Sequence, residues 1–303
     1  MRSKKTARSL LTVVCAVSLA ACSVQRYALN ALSGVLASGD TAVERDDDPV
    51  LVGQALPFTL KLIDSVLLQQ PDDRALLLAG ARGYVLYGYA FVSLPAERIS
   101  RQDIDVARPM RARARALFMR AHAYASRALQ LDYPDIDSAL RKDPKQAVSR
   151  VGGKPQRDVQ SLYWTAVSLG LAISVSKNDP KLLARLPELE ALLDRALALD
   201  EAWGDGALHE LAIQLGPVTR IGKAALQKHY QRALALSGGK RASLFVAYGE
   251  AVALPDQDRA DFVRLLNRAL AVDVDAYPDQ RLLNVLAQQQ ARWLLSRLDE
   301  LFL

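Results

Sequence analysis

The sequence is poor in the side chains that build most reactive centres, with two cysteines and three histidines in 303 residues. Cys15 lies inside an apolar N-terminal run and Cys22 stands at its end. A disulfide framework, a thiolate zinc site, an iron–sulfur cluster and a cysteine nucleophile are therefore excluded. His122, His209 and His229 each fall in a helical pattern without a second ligand at metal spacing. His209 and Glu210 lack the second histidine of the zinc-protease pattern. There is also no Gly-x-Ser-x-Gly elbow and no glycine loop ending in Gly-Lys-Ser/Thr. Asp46, Asp47 and Asp48 lack the spaced oxygens, central glycine and closing glutamate of a calcium loop, so they read as a solvated helix start. No cofactor and no metal are expected.

Strand formers are sparse beside alanine and leucine, which argues against an all-β protein. Glycine (16) and proline (13) are too few for a collagen-like or low-complexity chain, and at 50% hydrophobic residues it is too apolar for disorder. Long apolar runs are also missing. The uncharged stretch 160–176 falls short of the roughly 20 residues of a membrane span and is interrupted by serines, so it reads as a buried helix.

What is present begins with charge at the front. Arg2, Lys4, Lys5 and Arg8 precede the apolar run Leu10–Leu19 with no acidic residue between, the pattern of a secretory signal. The run ends Leu19-Ala20-Ala21-Cys22, a lipobox. Residues 1–21 are then a lipoprotein signal peptide, Cys22 is the lipidated N-terminus, and 22–48 form a tether that turns helical near 27–36. Several acyl chains give stable attachment where one is marginal. Ser23 stands where inner-membrane retention usually shows aspartate, which places the protein on the periplasmic face of a Gram-negative outer membrane. Losing the four leading cations leaves 35 basic against 33 acidic residues, so the net +6 is no nucleic-acid footprint.

Residues 49–303 read as a single all-α domain. Helices are expected at 50–69, 72–93, 104–131, 158–177, 181–200, 202–215, 222–237, 240–253, 257–272 and 279–299. The segment 132–157, with Pro134, Pro144, Gly152, Gly153 and Pro155, reads as an irregular excursion serving as a binding loop or a lid. Four helix ends repeat: RALQLD at 127–132, RALALD at 195–200, RALALS at 232–237 and RALAVD at 268–273. Their near-constant spacing predicts a degenerate tetratricopeptide-like array of helix pairs, alanine allowing close approach and leucine burying between helices.

Aromatic residues cluster on these helices. Tyr84, Tyr87 and Phe91 share a face at three- and four-residue spacing; Tyr163 and Trp164 follow on another helix, then Trp203, with His209 beyond. An apolar body with a polar tip suits a cleft for an amphipathic ligand, and these seven residues are the cleft candidates. Core packing is the alternative, and commoner, use of the same residues.

The ordered blocks LLQQPDDRALLLAGARGYVLYGYAF at 67–91, RARARALFMRAHAYASRAL at 111–129, LYW at 162–164, LPELEALLDRALALDEAWGDGALH at 186–209, KHYQRALALSGG at 228–239 and LLNVLAQQQARWLLSRLDELF at 282–302 resemble the TatT family. These are tetratricopeptide-like lipoproteins associated with tripartite ATP-independent periplasmic (TRAP) transporters. The resemblance implies an all-helical protein that self-associates into trimers around a shared opening. It also implies pairing with the transporter's periplasmic substrate-binding protein. The expected function is thus a non-catalytic transport accessory that docks the binding component and passes a small organic ligand through a helical cleft or pore. A general scaffold for envelope protein assembly is the second reading, and a helical hydrolase using a carboxylate pair the third.

Overall fold

The computed structural model describes residues 30–302 apart from 39 and 101. The signal segment and Cys22 lie outside the described residues. Among the described residues no strand occurs, and helices succeed one another from end to end. The main ones are α1 (Pro49–Gln69), α2 (Arg74–Gly88), α3 (Ile104–Gln130), α4 (Ile136–Lys142), α5 (Pro144–Ser149), α6 (Pro155–Ser174), α7 (Leu186–Leu199), α8 (Trp203–Thr219), α9 (Lys223–Ser237), α10 (Ala242–Tyr248), α11 (Arg259–Leu270) and α12 (Arg281–Leu295).

Aspartate starts many of them. Asp48, Asp73, Asp103, Asp143 and Asp258 each accept backbone N–H bonds from the first turn of α1, α2, α3, α5 and α11. Each such cap satisfies donors that the helix cannot, a contribution of about 1 kcal/mol. The triple acid at 46–48 therefore works as a cap, with Asp46 also accepting from the Asp48 amide.

The repeated Arg-Ala-Leu ends fall on α3, α7, α9 and α11, the second helices of the pairs α2/α3, α6/α7, α8/α9 and α10/α11. Ala128, Ala196, Ala233 and Ala269 are all fully buried, since only a methyl group fits where the helices meet. Leu129 is buried with them, but Leu197, Leu234 and Leu270 are only half-buried, fewer than the repeat predicts. The repeat arginines fasten each end outward: Arg127 to Asp72, Arg195 to the Val151 carbonyl, Arg232 to Glu201 and Arg268 to the Tyr230 hydroxyl.

Two expectations change. Segment 132–157 is no open excursion: α4 and α5 bury Ile136, Leu140, Ala147 and Val148, with Val151 following, in the largest apolar cluster. Pro144 and Pro155 start helices rather than break them, because a proline in the first turn gives up only an amide that has no intrahelical partner. Helices Pro49–Gln69 and Arg74–Ile99 are also long and apolar enough to cross a membrane by length and composition. A reading by uncharged runs misses them because charges interrupt both. The second is mostly buried in the bundle, whereas α1 turns Leu51, Phe58 and Leu68 outward.

The array closes on itself. The short helix Asp40–Glu44 packs on α12; Arg45 pairs with Asp279 at 2.7 Å, and Arg281 donates to the Arg45 carbonyl. Arg98, beyond α2, donates to the Gln290 side chain of α12 at 3.2 Å.

A buried polar knot joins α3, α6 and α7. Arg185 grips Glu188 with two bonds of 2.9 and 2.6 Å and donates to His122 Nε2 at 2.7 Å. The other ring nitrogen, Nδ1, lies 3.2 Å from the Thr165 carbonyl. A carbonyl only accepts and a guanidinium only donates, so His122 is the neutral Nδ1–H tautomer. The 3.9 Å approach of Glu188 to the ring is accordingly no ion pair. Burial, then Arg185, depresses this imidazole to about 4. The native state stays neutral while the unfolded chain takes a proton, so this stability is intact above pH 6.5 and lost on descent toward pH 4. The expected loss is about 1.4 kcal/mol per pH unit in that window. Urea melts of His122→Gln should show a flatter dependence than the parent between pH 6.5 and 5. Parallel curves would contradict it.

Candidate functional site

Two helices widen by one residue in the same way. At Tyr89–Ser93 and at Gly249–Ala253 the backbone takes a π turn, with the Leu94 amide bonding Tyr89 O and the Leu254 amide bonding Gly249 O, five residues back. Proline follows directly in both, Pro95 and Pro255. A proline in a helix cannot bond to the carbonyl four residues back, and its ring crowds that carbonyl, which the wider turn relieves. The signal is a second repeat, Tyr-Gly-x-Ala followed by Val-x-Leu-Pro, at 87–95 and 248–255.

The two π turns serve one place. Tyr89 is 41% exposed, although desolvation by surrounding protein, followed by the charges of Glu250, Glu97 and Glu210, pushes its hydroxyl well above the tyrosine range. Tyr89 is thus accessible at the surface and still crowded by protein and by negative charge. Glu250 is close enough to act on it: burial and the neighbouring Glu97 push its carboxyl up to about 8, while Gln290 hydrogen-bonds it. Glu97 is exposed in accessible surface and likewise raised, with desolvation the leading cause. The sense of these shifts follows from burial in low dielectric, which penalises the charged carboxylate.

A second cluster, with Glu210 in common, is built on α6, α8 and the start of α10. Arg241 Nε meets Glu210 Oε2 at 2.6 Å, and the Tyr163 hydroxyl nearby is pushed up to about 12, mainly by desolvation. Tyr163 packs on Trp203 at 4.7 Å and edge-on against Trp164 at 5.0 Å. Trp203 begins α8 and is followed by three residues in left-handed conformation, Gly204 (φ 62°), Asp205 (φ 53°) and Gly206 (φ 86°). Asp205 in that region is strained backbone, a feature that concentrates at functional sites. Arg241 also donates to the Gly204 carbonyl, tying the turn to the ion pair.

Outside, Arg98 opens onto a depression of about 440 Å³ formed with Gln102, Trp293, Ser296, Arg297 and Glu300. Arg98 and Arg297 both lie against the Trp293 ring, at 5.7 and 4.5 Å from its centre.

Of the cleft candidates, Tyr163 and Trp203 pack together, with Arg241 and Glu210 near the Tyr163 hydroxyl. Tyr84 is 2% exposed and belongs to the core, its hydroxyl donating to Asp64. Tyr87 lies half-buried under Arg113, and Phe91 packs on Gly53 of α1. Trp164 borders a smaller hollow of about 130 Å³ with Arg82 and Gln160. His209 is buried, its Nδ1 2.9 Å from that of His229. Periodicity missed Tyr89, Glu97, Arg98, Glu210, Arg241, Glu250 and Gln290.

Helices packed in successive pairs, with no strand among the described residues, make this an all-α protein. Its lineage is specific: the chain belongs to the TRAP transporter T-component family, whose pattern matches residues 45–302. It is similar as well to an uncharacterized protein of Treponema pallidum (strain Nichols), 28% identical over 303 residues and 94% of each chain. An accessory role in TRAP transport follows from the family.

Proposed function

We propose that the protein is a non-catalytic, lipid-anchored periplasmic lipoprotein, held through Cys22 at the outer membrane. It docks the soluble substrate-binding protein of its transporter and passes a small organic ligand through a helical cleft or pore. The observation that carries ligand passage is the pair of matching π turns that set the exposed Tyr89 close to Glu250. Docking draws on the family and on the extended surface that stacked helix pairs offer a protein partner. Self-association, with trimers as the expected form, belongs to the same reading.

Cross-linking in cells tests docking. A photoreactive side chain placed at Gln102, on the rim of the outer depression, is expected to capture the transporter's binding component, and the two proteins should co-purify at near-equal amounts. Capture of envelope-assembly proteins instead would favour the general scaffold.

A further inference from the structure

We propose that α1 lies along the surface of a lipid bilayer, with Leu51, Phe58 and Leu68 inserted at the level of the headgroups. The proposal deepens the lipid-anchored reading above and rests on it for the attachment at Cys22.

The five most exposed large apolar side chains among the described residues all belong to α1 and to the helical stretch 30–38 before it: Leu68, Phe58, Val50, Val35 and Leu51. Leu68 and Phe58 are 81% and 74% exposed, and so much apolar surface gathered on one helix marks an interaction face. At about 100° per residue, Val50, Leu51, Ala55, Phe58 and Leu68 fall within an arc of about 140°, with Gln54, Lys61 and Ser65 between them. The opposite side, with Val52, Leu56, Leu60 and Ile63, is buried against the rest of the array. A helix held by protein along one side does not cross a bilayer; it can lie at the interface with its free side down. Charge agrees with that placement. Asp64, the one acid of α1, is turned inward to accept from Tyr84 and Tyr124, while Lys61, which also bonds it, stays largely exposed. The free side therefore carries a cation and no acid, as anionic headgroups favour.

The path of the chain toward Cys22 selects lipid as the occupant. Stretch 30–38 is fastened beside the turn between α1 and α2. Gln70 donates to the Asn30 side chain at 2.6 Å, Ser33 donates to Asp73, and Leu32 and Leu36 pack on the cluster of Ile63, Val66 and Leu67. Asn30 thus stands at the Leu68 end of α1. From Cys22 to Asn30 the chain advances eight residues, a reach of about 28 Å at most. The 21 residues of α1 make it about 30 Å long. Acyl chains on Cys22 therefore keep this end of α1 within one helix length of the bilayer, whichever path those residues take. A second copy of the chain seated on the same side would have to displace a surface that the anchor already holds at hand.

The probe is a vesicle of phosphatidylethanolamine and phosphatidylglycerol, with or without bromine on its acyl chains, into which the full chain is reconstituted from detergent. An environment-sensitive fluorescent side chain is placed at Leu51, at Phe58 or, as a control on exposed α4, at Arg141. Brominated lipid is expected to quench the first two about twofold and leave the third unchanged, since only an interfacial side chain reaches the acyl boundary. The double variant Leu51→Glu, Phe58→Glu alters exposed positions only, so its circular dichroism melt should match the parent. It should still float with the vesicles through its acyl chains, but a fluorescent side chain at Ala55 should lose its quenching. Labels at Leu51 and Phe58 that respond no more than the one at Arg141 would overturn the proposal. Capture of a second copy by a photoreactive side chain at Phe58 would do the same. The mass of the N-terminal peptide scores acylation separately. An acylated chain that floats with unquenched labels would take α1 off the membrane and leave the anchor standing; quenched labels on a chain without acyl groups would keep α1 there and remove the anchor.

Discussion

Glu210→Gln should destabilise the protein by about 3–5 kcal/mol, the cost of leaving one member of a buried ion pair uncompensated. The side chains of Arg241 and Glu210 are 12% and 4% exposed and meet at 2.6 Å, so water cannot replace the lost carboxylate. Arg241 stays charged, since its desolvation, the largest single effect, is outweighed by Glu210, Tyr163 and Asp205 acting together. The loss comes from that stranded guanidinium rather than from the pair's net worth, so Glu210→Met with Arg241→Met should recover most of it. Chemical denaturation of the single and double variants measures the difference. A single variant within about 1 kcal/mol of the parent would mean that the pair is solvated.

Gly206→Ala is expected to be nearly as damaging. Its φ of 86° is left-handed, and an added Cβ would lie 3.1 Å from the Cα of Ala233 and 3.3 Å from its carbonyl oxygen. Left-handed strain costs about 1–3 kcal/mol and overpacking a similar amount. The obstruction is backbone, which cannot rotate away, so α8 and α9 must separate. Gly204 shares the conformation, but an added Cβ there would meet only the Ala207 Cβ, at 3.0 Å, so Gly204→Ala should cost less. The same separation should loosen the packing of Tyr163 on Trp203. A thermal melt reports the stability, and tryptophan fluorescence reports the packing of Trp203 on Tyr163. Equal melting temperatures for the two variants would show that left-handed strain, and not the contact between helices, governs this turn.

Helix content and pairing were legible because both depend on short-range order. Aspartate caps, prolines in first turns and the Arg-Ala-Leu ends act within one or two turns of where they stand, so reading along the chain finds them. The buried alanines at 128, 196, 233 and 269 followed from the repeat alone. Segment 132–157 was misread for a related reason: proline and glycine mark the ends of elements, but whether the intervening chain is buried depends on distant partners such as Leu189 and Leu192.

The aromatic stripe shows the limit most clearly. Tyr84, Tyr87 and Phe91 do recur at helical spacing, yet that side of α2 and its continuation meets α1 and α3, while Tyr89, off the stripe, lies near Glu250, Glu97 and Glu210. A periodicity of 3.6 assumes an unbroken helix, and the π turn inserts one residue at Tyr89–Ser93, rotating the helical turns on its N-terminal side relative to those on its C-terminal side. The site's polar partners lie far apart in the chain: Glu210 and Arg241 are 31 residues apart, Arg98 and Gln290 are 192. By itself the sequence determined an all-helical chain, its caps, its paired helices and the alanines on which they close. Tertiary structure alone decided which polar side chains come together, because that depends on how the first and last helices meet and on two local changes of helical register, neither carried by any single stretch of residues.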